Sequence, residues 1–209
     1  MDEASVSYVR TALRIVHFIG LVLGMGGAVF VEMLLHRSRR RILSVEFFET
    51  IVFTSRFVGL GLVLLWLSGL GFLALYFLAE PAKLANPKIL AKMTIVGLLT
   101  VNGVFVHRFV IPFLKSRIGQ PLLDGIASRT VNILAACAAV SVASWTVPMV
   151  LGAAPQLNFV VRYELILAGH ALLMFFAFLG IKVVIADGKR PFHEKDIGDA
   201  RSVSDLTAD

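Results

Sequence analysis

Residues 15–35 read IVHFIGLVLGMGGAVFVEMLL, and Glu32 is the only carboxylate, with no lysine or arginine among them. At about 1.5 Å per residue this stretch makes a helix roughly 31 Å long, the thickness of a bilayer's hydrocarbon core. His17 stands near its head, and Gly20, Gly24 and Gly27 follow. At about 100° per residue the four fall within about 80° of one another on one helical face. Such a face offers an imidazole ligand beside a flat surface that suits a planar macrocycle. The same glycines, with their Gly20-xxx-Gly24 spacing, also let a neighbouring helix come close. The histidine tilts the reading toward function, because an ionisable group inside a membrane span is costly to keep there.

The rest of the chain agrees with a membrane setting. It has 209 residues, 57% of them hydrophobic and 16% charged, where soluble domains carry about 25% charged residues. Mean hydropathy is +0.83. A soluble globular domain is excluded, and the expected class is all-α, a polytopic membrane bundle. The net charge of +6 does not call for nucleic acid. Basic residues lie beside apolar spans, where they set topology and meet lipid headgroups. The single cysteine, Cys137, falls inside a span, so neither a disulfide framework nor a thiolate metal site is expected. The first span is too long for a signal sequence and leaves through HRSRRR at 36–41, which marks a retained anchor.

Taken in order, the pattern predicts five spanning helices over about 8–36, 51–78, 87–114, 126–151 and 159–185. Residues 1–185 form one transmembrane domain, and 186–209 a polar cytoplasmic tail. Pro81 closes the second span and Pro87 opens the third. With the N-terminus outside, fourteen Lys and Arg fall on the inner side and six on the outer, of 20 in all. The positive-inside rule therefore predicts N-out and C-in, in a multi-pass bacterial-type inner (cell) membrane.

Topology converts position into depth. His17, Lys92 and His170 fall on three different spans in the same half of the bilayer. Histidine is a common metal and haem ligand, and a lysine joins it only where burial suppresses its charge. Each also has a structural alternative: interhelical hydrogen bonds for the histidines, snorkelling to headgroups for Lys92. In the other half, Glu32, His36, His107 and Arg108 form a second polar set. His36 and His107 read as a second ligand pair or as interfacial residues beside arginines. His17 and His36 are about 28 Å apart and about 100° out of phase on one straight helix, which makes a two-haem arrangement on it awkward. In the fourth span Ser141, Ser144 and Pro148 predict a hydroxyl-lined kink, with Trp145 beside it.

Two stretches resemble a known family. HFIGLVLGMGGAVFVEMLLH at 17–36 is similar to the first helix of the small bacterial membrane-bound protoporphyrinogen oxidases, which are haem-binding helical proteins. KILAKMTIVGLLTVNGVFVH at 88–107 resembles a later helix of that family, opened by a lysine and closed by a histidine. The matching positions are His17, Gly20, Gly27, Lys92, His36 and His107. The resemblance implies His17 as an axial haem ligand, Lys92 as the second important residue, and a role in oxidising a porphyrinogen. The membrane domain of copper-resistance protein D has a related fold.

The expected function is that of a b-type haem-binding membrane protein in electron transfer or membrane oxidoreduction. Haem b is the expected cofactor. His17, Lys92, His170, Gly20, Gly24 and Gly27 are the binding residues, and His17 and His170 the metal ligands. Expected partners are membrane lipid, haem, a redox partner and a second copy of the chain through its glycine faces. Whether the protein is an enzyme is left open. The alternative is a non-haem carrier of copper or a small solute, or a structural subunit.

Overall fold

The computed structural model describes residues 2–39 and 41–188. Six α-helices follow in order: α1 Glu3–Arg37, α2 Val45–Ala79, α3 Pro87–Phe105, α4 Ile111–Ser116, α5 Ser128–Ala153 and α6 Tyr163–Gly188. A π-turn over Val106–Val110 joins α3 and α4 into one rod, Pro87–Ser116, so five rods are long and apolar enough to cross a membrane. Among the described residues there are no strands, only isolated bridges pairing Ile42 with Pro121 and Leu43 with Ile118. Most of the expected tail, 189–209, lies outside the described residues.

Helix ends follow local chemistry. Helix α2 begins at Val45 because the Ser44 hydroxyl accepts from the Phe47 N–H at 3.2 Å, a side-chain N-cap. Helix α1 already starts at Glu3, where a carboxylate meets the positive end of the helix dipole. Helix α6 starts later than expected, at Tyr163, because Phe159 adopts a positive φ of 60° that no helix accommodates. Pro112 has no N–H to give the Arg108 carbonyl, and the chain answers with the π-turn, in which the Ile111 N–H reaches the Val106 carbonyl.

The rods sort into two groups. Helix α1 lies along α2 over their full length, while α3, α5 and α6 pack together. Glycines explain the first pairing. A Cβ placed on Gly61 would fall 2.6 Å from the Gly20 carbonyl oxygen and also strike the Gly24 backbone. Backbone thus touches backbone, the close approach that small residues allow in membranes. Between the groups contacts are sparse, and α2 and α3 barely meet. One hydrogen bond spans that seam, from Trp66 Nε1 to Thr100 Oγ1 at 2.9 Å.

Each end is closed by loops. On the N-terminal side, Lys88 is 5% exposed and its Nζ donates to the Ala154 carbonyl at 2.7 Å, capping α5. Arg10 pairs with Glu80 there at 2.9 Å. On the C-terminal side, Leu43 exchanges backbone bonds with Gln120 (3.0 Å) and Gly119 (2.9 Å). Gly119 permits this turn with φ +80°. Arg117 Nη2 donates to the carbonyls of Pro121 and Asp124 and steadies the same loop. Leu43, Ile51, Leu114, Leu122 and Leu123 make the apolar core beneath it.

Candidate functional site

His17 is held by a chain of two hydrogen bonds. With the Ser68 hydroxyl donating to the Leu64 carbonyl at 2.7 Å, its 2.9 Å contact with His17 Nδ1 is donated by the imidazole. Ser68 is 1% exposed. In that arrangement the proton sits on Nδ1, and Nε2 keeps its lone pair with no hydrogen-bond partner among the described residues. Phe72 meets the ring edge-on, with centroids 6.0 Å apart. A fixed Nδ1–H and a free Nε2 are the state in which a histidine ligates a metal.

Lys92 stands near the start of α3 and is partly buried. A Cβ on Gly152 would lie 3.6 Å from its Nζ, so the lysine runs toward the end of α5 and does not lie in the lipid. His170 is 3% exposed and its Nε2 shares a 3.0 Å hydrogen bond with Ser144 Oγ. It ties α6 to α5 one turn before Pro148. His170 thus has its own partner on α5, apart from the His17–Ser68 pair.

The glycine face is not an open platform. Gly20 meets Gly61 and Leu64, Gly27 meets Val58 and Thr54, and the Trp145 ring covers Gly24. Protein atoms occupy all three positions because α1 buries this face against α2 and α5. The Gly20, Gly24 and Gly27 face therefore does not fit the seat of a macrocycle, which leaves His17 as a donor without that platform.

The second polar set borders a half-enclosed cavity of about 900 Å³ between the two helix groups. That volume is in the range of small-molecule and cofactor sites. Its walls are apolar for the most part, with Trp145 at the deep end and Leu122 and Leu123 at the C-terminal end. Glu32 lines it, with Ser141 also on the wall. Asn102 also lines it and donates to the Cys137 carbonyl at 3.1 Å. His36, Arg39, His107 and Arg108 complete its polar rim. Arg39 Nη1 donates to His36 Nε2 at 3.1 Å, which engages that nitrogen's lone pair. His107 sits on the π-turn, the irregularity that Pro112 induces.

Sequence reading did not find Ser68, Gly61 or the cavity itself. Ser68 carries no local signal, since one hydroxyl in an apolar run reads as neutral until its partner is known. The cavity arises where two helix groups that meet at Trp145 leave space between them toward the C-terminal side, and periodicity within single helices does not encode that. Among the described residues no three of His, Cys, Asp and Glu gather into a metal cage. Comparison with family models, with curated proteins and with solved structures returns no match.

Proposed function

We propose that this chain is a b-type haem-binding integral membrane protein that works in electron transfer or membrane oxidoreduction. The observation that carries the reading is the His17 imidazole within a membrane-spanning helix, held at Nδ1 by Ser68 and with no hydrogen-bond partner on Nε2 among the described residues. Lys92 is the second candidate on the resemblance of residues 88–107, and its Nζ lies beside Gly152 within the bundle. His17 and Lys92 would hold the group, and bound haem supplies one-electron chemistry. Ser68 fixes the tautomer and swing of the imidazole. Phe72 limits its rotation.

The similarity of residues 17–36 and 88–107 to membrane-bound protoporphyrinogen oxidases supports a finer version, oxidation of a porphyrinogen with electrons passed to a redox partner. The basic bias of the C-terminal side supports placement in a bacterial-type cell membrane with the N-terminus outside. An absorption spectrum of protein purified from haem-supplemented cells tests the reading. A Soret band that shifts on dithionite reduction and is lost in His17→Ala is expected, and a preparation without one overturns it. Porphyrin fluorescence developing from added protoporphyrinogen separates the enzyme from a plain electron carrier. The non-haem carrier is kept as a second reading because the 900 Å³ cavity provides room for a ligand apart from His17.

A further inference from the structure

We propose that the cavity in the C-terminal half binds a membrane-borne anionic amphiphile, its apolar body inside and its carboxylate or phosphate head against Arg108 and His107. This site is independent of haem at His17, since Glu32, inside the cavity, is about 22 Å along α1 from that ring.

Three observations converge. The first is chemistry: the cavity wall is apolar apart from a few groups, and its polar rim carries two arginines and two histidines, from α1 and its following turn on one side and the π-turn on the other. Arg108 forms no ion pair with a described residue. A charged oxyacid is the complement of such a rim, and arginine recognises it with paired donors.

The second is access. Helices α2 and α3 scarcely touch below the Trp66–Thr100 hydrogen bond. Ser55, Val58 and Gly59 of α2 face Gly103 and Val104 of α3 across that gap, and Val104 is 57% exposed. The cavity thus has a side window at the depth of lipid chains, by which an amphiphile enters without leaving the bilayer.

The third is depth. Glu32 stands one turn, about 6 Å, deeper than His36 and lines the wall there, so a carboxylate meets any anion that passes the rim. The head therefore stops at the rim, and the apolar body continues past Leu99 toward Trp145.

The chain has two tryptophans, and Trp145 lines the cavity, so it reports occupancy. In a Trp66→Phe background, reconstituted in neutral phosphatidylcholine nanodiscs, dibromostearic acid or a dibrominated phosphatidic acid is titrated and tryptophan quenching followed. Saturable quenching by one or both acids is expected, and whichever saturates identifies the head. Dibromostearic methyl ester is expected to give only the unsaturable quenching of bulk lipid. Arg108→Gln should weaken the apparent affinity about tenfold, the loss of one charge-assisted contact. Ala138→Leu, which fills the cavity and leaves every charge in place, should abolish saturation. The proposal is overturned if neither acid saturates, if the methyl ester matches them, or if both variants bind like the parent. The Soret spectrum of the same preparations is read in parallel; its absence removes haem and leaves this site standing.

Discussion

At the scale of the residue, Ser68 is the most informative position. If His17 ligates haem, Ser68→Ala keeps the ligand and removes its orientation. Outer-shell losses of this kind cost about 10–100-fold in affinity, so haem titration should show a drop of that size while helicity is unchanged. An interhelical tether alone would instead lower thermal stability with haem binding intact. Glu80, outside the spans, has a different role. The Lys83 hydrogen bond first, and then the charges of Lys83 and Arg10, hold its carboxyl below the ordinary 4.5. A depressed carboxylate pKa stabilises the fold above 4.5 and loses that contribution as pH falls through the folded value. Glu80→Gln should therefore melt at a lower temperature than the parent at neutral pH. The gap should close in acid and narrow in high salt, since the pair is partly exposed.

At the scale of the element, the glycines matter most. Gly61→Ala would drive a methyl into the backbone of α1 on two sides, near the Gly20 carbonyl and at Gly24. Neither neighbour is a flexible side-chain tip. The expected cost is about 1–3 kcal/mol, read as a lowered melting temperature in detergent, whereas Gly59→Ala, with nothing within 4 Å, should be silent. The contrast also shows what sequence could convey. Five spans were legible because apolar length is a property of each helix alone. Gly20 and Gly24 were legible as small-residue positions, but the choice between a macrocycle and a partner helix was not. Gly61 decides it from a distant part of the chain. Helix starts were missed where the cause was local and subtle, as with the Ser44 cap and the positive φ of Phe159. A common depth for His17, Lys92 and His170 was legible, but their partners Ser68 and Ser144 were not, because rotation about a helix axis is set by packing.

At the scale of the whole molecule, the uneven distribution of basic residues predicts orientation. Single cysteines introduced at Ser38 and at Gln156 in a Cys137→Ser background should divide cleanly. A membrane-impermeant maleimide added to intact cells is expected to label Gln156→Cys and to spare Ser38→Cys, and the reverse pattern inverts the topology. The division into a glycine-bonded pair, α1 with α2, and a trio of α3, α5 and α6 has a consequence for assembly. The short connection Pro81–Ala85 carries the chain from one to the other. Spans insert singly and associate afterwards, so that connection is not needed to specify the contacts. A gene cut there and expressed as two polypeptides should yield pieces that find each other in the membrane and co-purify, rebuilding the molecule from a split pair.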